Sequence, residues 1–327
     1  MMLVLVFTRL LKVNQSNLMR KVVFSFLLLF THLFLGAQII TEDLIKKHIT
    51  ILSSDEMEGR KAGTRGIEKA ARYIENEFKK IGLNKFDGLS TYRQEFNEKG
   101  LALFNVIGIL EGKSKKDEFI VISAHYDHLG INKNGNGDVI YNGANDNASG
   151  VAAVLALAKY FSKTKVNERS IIFVAFTAEE MGLIGSNYFG GKINPKKIVA
   201  GINIEMIGKQ SPFGPKTAWI TGYNKSTFGE IIQKNLEGSN YKVYPDPYLN
   251  FNLFFRSDNA SLARLGVPAH TFSTSPMDKD LDYHKVTDEV NTLEIYTIAE
   301  TIKAIAKGTS SIINGTDTPS RVNLIKK

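Results

Sequence analysis

The hydrophobic positions of this 327-residue chain follow two different periods. Between residues 41 and 81, apolar residues recur every three or four positions, which predicts amphipathic helices at 41–52 and 64–81. Short apolar, mostly β-branched runs predict buried strands at 104–110, 119–124, 171–176, 198–204, 218–221 and 269–273. Further helices are predicted at 151–161 and 292–305. The alternation predicts an α/β fold, in which one globular domain over residues 38–307 holds a central, mostly parallel mixed β-sheet flanked by helices.

The first 37 residues follow the order of a secretory signal. Arg20 and Lys21 precede an apolar run at 22–35, and small residues follow before Gln38. The run is shorter than the about 20 residues that a membrane span needs. We therefore predict a signal peptide over 1–37, export to the periplasm or the extracellular space, and no stable membrane anchor after cleavage. A membrane anchor extended by residues 1–13 is the alternative, and Met19 could be the true start, with 1–18 an extension of the gene model.

Composition restricts the chemistry of any site. The chain has no cysteine, which excludes disulfides, thiolate metal sites and Cys nucleophiles. The net charge is +8, and four of the basic residues lie in the first 37 residues, which contain no acid. The remaining excess is small and forms no long basic run, so no nucleic-acid partner is expected. Residues 308–327 are predicted to form a polar, loosely held C-terminal tail. The sequence leaves the oligomeric state open.

Acidic and imidazole side chains follow the ends of several predicted strands. The carboxyl ends of parallel strands meet at one edge of a sheet, so these side chains are expected to lie close together. Carboxylates and imidazoles in such proximity are poorly solvated unless a cation lies among them, which favours a metal site built from His, Asp and Glu. The candidates are His125, Asp127, Asp146, Glu179, Glu180, Glu205 and His284.

The residue types suit a hydrolytic metal site. Zinc binds imidazole nitrogen and carboxylate oxygen, and two metals about 3.5–4 Å apart need a bridging ligand such as Asp. One carboxylate should remain free as general base, and an adjacent Glu-Glu pair can divide the two roles. Asp127, two residues after His125, could accept the other ring N–H of that histidine and orient it.

These motifs resemble the M28-type zinc peptidases, the family of bacterial leucyl-type aminopeptidases and of glutamate carboxypeptidase. The resemblance covers roughly residues 40–307 and includes the segment 53–64. It is carried by His125-Tyr126-Asp127, Asp146-Asn147-Ala148-Ser149-Gly150, Glu179-Glu180-Met181-Gly182, Asn203-Ile204-Glu205-Met206 and His284. It implies the fold of the zinc-dependent exopeptidases.

The resemblance also implies a role for each residue. His125, Asp146 and Glu205 would bind one zinc ion, and Asp146, Glu180 and His284 a second, so that Asp146 bridges. Glu179 would be the general base and Asp127 the residue that orients His125. The bond between Asp146 and Asn147 would be a cis peptide. The family most often has Asp where Glu205 stands, which puts metal occupancy at that position in question.

Other aromatic and histidine residues have weaker assignments. The loop at 244–257 could line a substrate pocket, and Tyr283, Phe254 and Phe255 are the candidate substrate-binding residues; packing beneath a long loop is the alternative. His128 is assigned to support beside the site. His48 and His270 lie in apolar patterns and are interpreted as structural.

The sequence therefore predicts an exported zinc metallopeptidase that acts on peptides. Aminopeptidase activity is the first interpretation. The alternatives are a glutaminyl cyclase-like acyltransferase, a carboxypeptidase in which scattered arginines such as Arg256 assemble around substrate carboxylates, and a receptor-like protein without catalysis. Native metal and side-chain specificity are not encoded by these motifs.

Overall fold

A computed structural model of the protein describes residues 39–86 and 88–324. The fold belongs to the unit that begins at Ile40, and the predicted signal peptide lies outside the described residues. The helices are α1 (Glu42–Leu52), α2 (Arg65–Ile81), α3 (Ser149–Thr164), α4 (Ile184–Lys192), α5 (Phe228–Asn235), α6 (Asn259–Ala263), α7 (Ile295–Gly308) and α8 (Ser310–Ile313). None of the helices described here is both long and apolar enough to cross a membrane.

The strands form one large sheet and a small hairpin. They are β1 (Asn84–Lys85), β2 (Arg93–Glu98), β3 (Leu101–Leu110), β4 (Lys115–His125), β5 (Gly130–Ile131), β6 (Ile140–Tyr141), β7 (Arg169–Phe176), β8 (Ile198–Ile204), β9 (Thr217–Ile220), β10 (Lys242–Pro245) and β11 (Ala269–Ser273). The large sheet has the order β1-β3-β7-β4-β8-β11-β9-β10, with β2 paired to β3, and β5 pairs with β6.

The centre of the large sheet is parallel. Strand β4 lies between β7 and β8 and runs parallel to both, and β11 continues parallel to β8. Antiparallel pairs flank this centre, β3 with β7 on one side and β9 with β11 on the other. The predicted α/β class with a mixed sheet is confirmed, and the carboxyl ends of β7, β4 and β8 lie side by side at one edge.

Helices cover both faces of the sheet, as the period of two along each strand requires. In β7, Ile171 and Phe173 pack in the core that contains α1, α2, α3 and α7, whereas Ile172 and Val174 pack in the core beside α4 and α6. Helix α3 is buried continuously from residue 149 to residue 158. Such an apolar helix fits only an interior position, which places its N-terminal turn beneath the edge where the candidate ligands lie.

Two predictions about the C-terminal part are wrong. The last long helix begins at Ile295 rather than at residue 292, because Val290–Thr292 forms a separate 3₁₀ turn. The segment after residue 308 is not a loose polar tail up to residue 322. Ile312 and Ile313 are fully buried, and Arg169 donates hydrogen bonds to the carbonyls of Ile312 and Asp317. These partners are distant in sequence, so local composition could not indicate them.

Candidate metal centre

The predicted site residues meet at the carboxyl edge of the central parallel strands. His125 is the last residue of β4, and Glu205 directly follows β8. Glu179 and Glu180 lie in the turn between β7 and α4. Asp146 lies in the kinked turn Ala144–Ala148 that leads into α3, and its own φ of −109° and ψ of 91° are not helical. The sheet order therefore brings together side chains that are up to 80 positions apart in sequence, as the strand pattern predicts.

Asp146 is the centre of the cluster. Its Oδ1 lies 3.2 Å from Nε2 of His125, and its Oδ2 lies 3.2 Å from Nε2 of His284. The same His284 nitrogen is 3.2 Å from Oε2 of Glu180. Each carboxylate oxygen of Asp146 thus faces a different histidine. One carboxylate thus has an oxygen beside each of two histidines, an arrangement that would suit a ligand shared by two metal ions.

Asp127 supports the site in a different way from the one predicted. Nδ1 of His125 lies 3.2 Å from the backbone carbonyl of Asp127 and 3.9 Å from its carboxylate. The carboxylate instead accepts hydrogen bonds from the backbone N–H groups of Glu179 (3.0 Å) and Glu180 (3.3 Å). The carbonyl of Asp127 therefore orients the histidine, and its side chain fixes the Glu-Glu turn.

Glu205 is half-buried and has a neutral hydrogen-bond partner. The hydroxyl of Ser257 donates to its Oε2, and Nδ2 of Asn203 donates to Ser257 Oγ at 2.6 Å. Burial raises the pKa of Glu205 to about 7. The extra methylene of Glu, compared with the Asp that the resemblance implies, still leaves the carboxylate beside the other acids, where it lines the same cleft as Asp146.

Backbone conformation at the site is unusual. The peptide bond between Asp146 and Asn147 is cis, which confirms that expectation. Ala178, Met206 and His284 have φ of 54°, 51° and 57° in the left-handed region, which non-glycine residues seldom adopt. Such conformations occur mainly where surrounding contacts hold them in place, often at functional sites.

The two adjacent glutamates have opposite protonation tendencies. Burial, together with the charge of Glu205, raises the pKa of Glu179 well above its usual value. Burial and Asp146 also favour the neutral form of Glu180, but hydrogen bonds from His128 and His284 lower the pKa of Glu180 overall. Environments that separate the pKa values of neighbouring acids are typical of a base beside a permanently charged ligand.

The donor set fits a divalent cation. Nε2 of His125 and Nε2 of His128 are buried and form no hydrogen bond of suitable geometry among the described residues, although Asp146 Oδ1 lies 3.2 Å from the first. Although burial alone would lower the pKa of His125, the nearby charges of Glu179 and Asp146 raise it well above its usual value. Hard oxygen and imidazole ligands in strongly negative surroundings are what zinc and similar ions bind.

His128, which was assigned to support beside the site, directly contacts the acidic cluster. Its Nδ1 is 2.8 Å from Oε1 of Glu180, and one ligand atom each of His128, Asp146 and Glu180 lie within 4.8 Å of one another. The assignment of individual residues to individual metal ions stays a prediction, because these atoms also contact His284.

Two residues that sequence reasoning missed hold the loops of the site. Asp288 accepts hydrogen bonds from the backbone N–H groups of Asn145 (2.8 Å) and Asp146 (2.9 Å). Arg60 is fully buried, and its guanidinium donates to four backbone carbonyls, those of Leu52, Tyr126, Asn142 and Gly143. The only sequence feature that points to Arg60 is its place in the segment 53–64, which the family resemblance includes. No local pattern indicates Asp288.

Of the three predicted substrate-binding residues, two lie at the cleft and one does not. Tyr283 stacks on His284, with ring centroids 4.0 Å apart, and Phe255 lines the same cleft as the acidic cluster. Phe254 does not: it is buried against His270 and Phe255, and it borders a different groove. The prediction for Phe254 is therefore wrong, because a run of aromatic residues without periodicity does not show which side chain faces inward.

The two histidines interpreted as structural are structural. His48 is buried on α1, with Nδ1 2.6 Å from the Tyr73 hydroxyl. His270 is buried in β11 between Thr221 and Ser226.

The sequence is similar to those of known peptidases. A family model described as peptidase family M28 matches residues 105–309. The aminopeptidase YwaD of Bacillus subtilis is 30% identical over 138 residues, which cover 39% of this chain and 28% of the relative. Aminopeptidase Y of Saccharomyces cerevisiae is 27% identical over 178 residues, covering 50% of this chain and 32% of the relative. The match with each of these relatives thus spans only about a third or less of the relative's length.

Solved structures share the fold. The Legionella pneumophila LapA aminopeptidase superposes with a TM-score of 0.68 at 20% identity, covering 85% of this chain and 74% of that one. BSAP, a zinc aminopeptidase from Bacillus subtilis, gives 0.68 at 15% identity, covering 84% and 95%. Porphyromonas gingivalis glutaminyl cyclase gives 0.65 at 17% identity, covering 84% and 99%. At these identities the likeness concerns the fold alone.

Proposed function

Because this chain belongs to peptidase family M28, whose model matches residues 105–309, we propose that it is a zinc-dependent aminopeptidase that removes N-terminal residues from peptides. The observation that carries the proposal is the cluster around Asp146, whose two oxygens each lie 3.2 Å from a different histidine. Relatives with similar sequences add support, because one is named an aminopeptidase and another a probable zinc metalloprotease.

Two zinc ions fit the donors. His125, Asp146 and Glu205 would bind one ion, and Asp146, Glu180 and His284 the other. His128, whose Nδ1 lies 2.8 Å from Glu180, would hold that carboxylate in place. Bound zinc supplies Lewis acidity, which activates water and polarises the scissile carbonyl.

Glu179 has the chemistry of the general base. It lines the cleft beside the ligands, and burial raises its pKa well above the usual value of a glutamate, which makes the carboxylate a stronger base. Glu179 would accept the proton of the attacking water and deliver it to the leaving amine. The Asp127 carboxylate accepts hydrogen bonds from the backbone N–H groups of Glu179 and Glu180, and these bonds hold Glu179 in position.

A mixed pool of peptides tests the proposal. The mature protein is incubated with free peptides, with the same peptides acetylated at the amino terminus, and with a chelator, and products are identified by mass spectrometry. Stepwise loss of N-terminal residues from free peptides only, abolished by the chelator and restored by zinc, is the expected result. Loss of ammonia from N-terminal Gln would instead indicate a cyclase, and cleavage of acetylated peptides at their C-termini a carboxypeptidase.

We also propose that the protein is exported after cleavage of residues 1–37. N-terminal sequencing of the protein recovered from outside the cytoplasm tests this directly. A mature start at or near Gln38 is expected, and a start upstream of residue 30 would contradict cleavage at this position.

A further inference from the structure

The cleft over the metal centre contains two arginines as well as the acidic cluster. It has a volume of about 400 Å³ and is bordered by Glu179, Glu205, Tyr283 and His284, and also by Arg256 and Arg264. No lysine from the described part of the chain borders it. The mechanism proposed above uses neither arginine.

Both guanidinium groups are available to a ligand. Arg256 and Arg264 are exposed, and neither forms an ion pair with any residue that the structure describes. Arg264 lies at the C-terminal end of α6, with its Cζ 5.6 Å from the centre of the Phe255 ring. Arg256 directly precedes Ser257, which hydrogen-bonds Glu205. Arg256 is therefore next to a residue that contacts the acidic cluster, and Arg264 borders the cleft from the end of α6.

Charge favours an anionic substrate. The four carboxylates that border the cleft, Asp146, Glu179, Glu180 and Glu205, would be balanced by two divalent metal ions. The arginines would then leave the loaded cleft positive. Guanidinium groups bind carboxylates in a planar, two-point geometry that an ammonium group cannot reproduce.

The size of the cleft limits how far from the scissile bond a bound substrate carboxylate lies. An extended peptide advances at most about 3.6 Å per residue, so both residues of a dipeptide fit into a cleft of this volume. A carboxylate one residue beyond the scissile bond then shares the cleft with the two arginines.

We propose that Arg256 and Arg264 form a carboxylate-binding site in the cleft, which gives the enzyme a preference for short peptides with an anionic group one or two residues beyond the scissile bond. The anion is either the free C-terminus of a dipeptide or an Asp or Glu side chain. This inference rests on the proposed aminopeptidase function, because that function defines the scissile bond.

Four probes separate the two sources of the carboxylate. They are Leu-Gly as free acid, Leu-Gly amide, Leu-Glu amide and Leu-Gln amide. For each probe kcat/KM is measured with the zinc-loaded protein, and Kd is measured by calorimetry with zinc-loaded Glu179→Gln. Preference for Leu-Gly over its amide indicates C-terminal recognition, and preference for Leu-Glu amide over Leu-Gln amide indicates side-chain recognition.

The wild type is expected to prefer at least one anionic probe over its neutral partner by about tenfold. Arg256→Gln and Arg264→Gln should each reduce that ratio, and the double variant should bring it to within about twofold. Arg65→Gln, which removes an exposed arginine of α2 that does not border the cleft, should keep the wild-type ratio. High salt should reduce the ratio in the wild type, because the guanidinium groups are exposed.

Equal kcat/KM values of the wild type, and equal Kd values of Glu179→Gln, for the anionic and neutral probe of each pair would overturn the inference. A preference for the anionic probe that the double arginine variant retains would also overturn it. If no probe is hydrolysed at any zinc concentration, the proposed function fails. The Kd ratios then decide separately whether the carboxylate site exists.

Discussion

At the scale of single residues, the properties of the site depend on the different contacts that neighbouring carboxylates make. Glu179 and Glu180 are adjacent, yet burial raises the pKa of the first and histidine hydrogen bonds lower that of the second. Asp146 contacts two histidines with its two oxygens. Identical chemical groups therefore differ in protonation and in contacts, as the proposed roles of base, ligand and bridge require.

Replacing Glu179 with Gln tests the role of the general base. The substitution keeps the shape of the side chain and removes its ability to accept a proton. We expect kcat to fall about 10²–10⁴-fold, with the zinc content per chain unchanged. Steady-state kinetics and metal analysis of the same sample measure both quantities. Activity within tenfold of the wild type would refute the assignment.

Replacing Glu205 tests the position at which the sequence departs from the family. Glu205→Gln should lower the affinity for one metal ion and leave the other bound, because the proposal assigns this carboxylate to only one of the two ions. Ser257→Ala removes the hydroxyl that donates a hydrogen bond to Glu205. This variant should lower the affinity for that same ion by about 10–100-fold. Zinc titration of the metal-free variants measures the affinities. Two unchanged binding steps in both variants would contradict the assignment of Glu205.

Much of the site could be predicted at this scale, and some of it could not. Spacing and strand ends identified the residues that meet around Asp146. The supporting groups Arg60, Asp288 and Ser257 were missed, because a side chain that binds distant backbone leaves no local pattern. Phe254 was misassigned for a related reason: local sequence does not show that it packs against His270 rather than facing the cleft.

At the scale of elements, strand order and close packing bring the ligands together. Strands β7, β4 and β8 are neighbours, so the residues after them share one edge. Helix α3 then approaches that edge closely: a side chain at Gly150 would collide with the Ile204 carbonyl and the Asn147 side chain. The strand cores were predicted well because buried β-branched runs are strong signals, whereas the start of α7 was misplaced by three residues, since a 3₁₀ turn precedes it.

Arg60 connects the segments beneath the site, and its removal should be costly. Its guanidinium donates to carbonyls in the α1 end, the turn after β4 and the turn before Asp146, at 2.5–2.9 Å. Arg60→Met would leave four buried carbonyls without these donors. We expect it to lower the free energy of unfolding by at least about 3 kcal/mol, measured by urea denaturation.

The matched control for Arg60 is Arg65→Met, which changes an exposed arginine five positions later. It should shift the free energy of unfolding by no more than about 0.5 kcal/mol. Equal urea midpoints for the two variants would show that the buried guanidinium is not a structural clamp.

At the scale of the whole molecule, side chains far apart in sequence complete one folding unit. The C-terminal segment illustrates this. Its polar composition predicted a loose tail, but Ile312 and Ile313 are buried and Arg169 binds the backbone around them. The α/β class could be predicted because it follows from the order of elements, whereas the docking of this segment depends on contacts with residues distant in sequence, such as Arg169 and Asn235.

Two buried histidines should make the stability of the molecule depend on pH. Burial lowers the pKa of His48, in spite of the nearby Glu77, and also lowers the pKa of His270, each to about 4. The unfolded chain takes up protons below about pH 6.5, and the folded chain does so only near pH 4. The free energy of unfolding should therefore decrease as the pH falls from about 6.5 to 4, by up to roughly 3 kcal/mol per histidine.

Variants isolate this effect from other titrating groups. His48→Gln and His270→Gln should each be less stable at neutral pH, yet lose less stability than the wild type between pH 6.5 and pH 4. Denaturation at a series of pH values gives the slopes. Parallel slopes for wild type and both variants would contradict a role for these histidines.

The most direct test of the central claim, a zinc-dependent aminopeptidase site around Asp146, is stepwise addition of zinc to the metal-free protein while hydrolysis of leucine p-nitroanilide is followed. We predict that hydrolysis appears with zinc and that the protein binds two ions per chain at saturation. The acetylated substrate should stay intact. Absence of hydrolysis at every zinc concentration, or equal cleavage of the acetylated substrate, would contradict the claim.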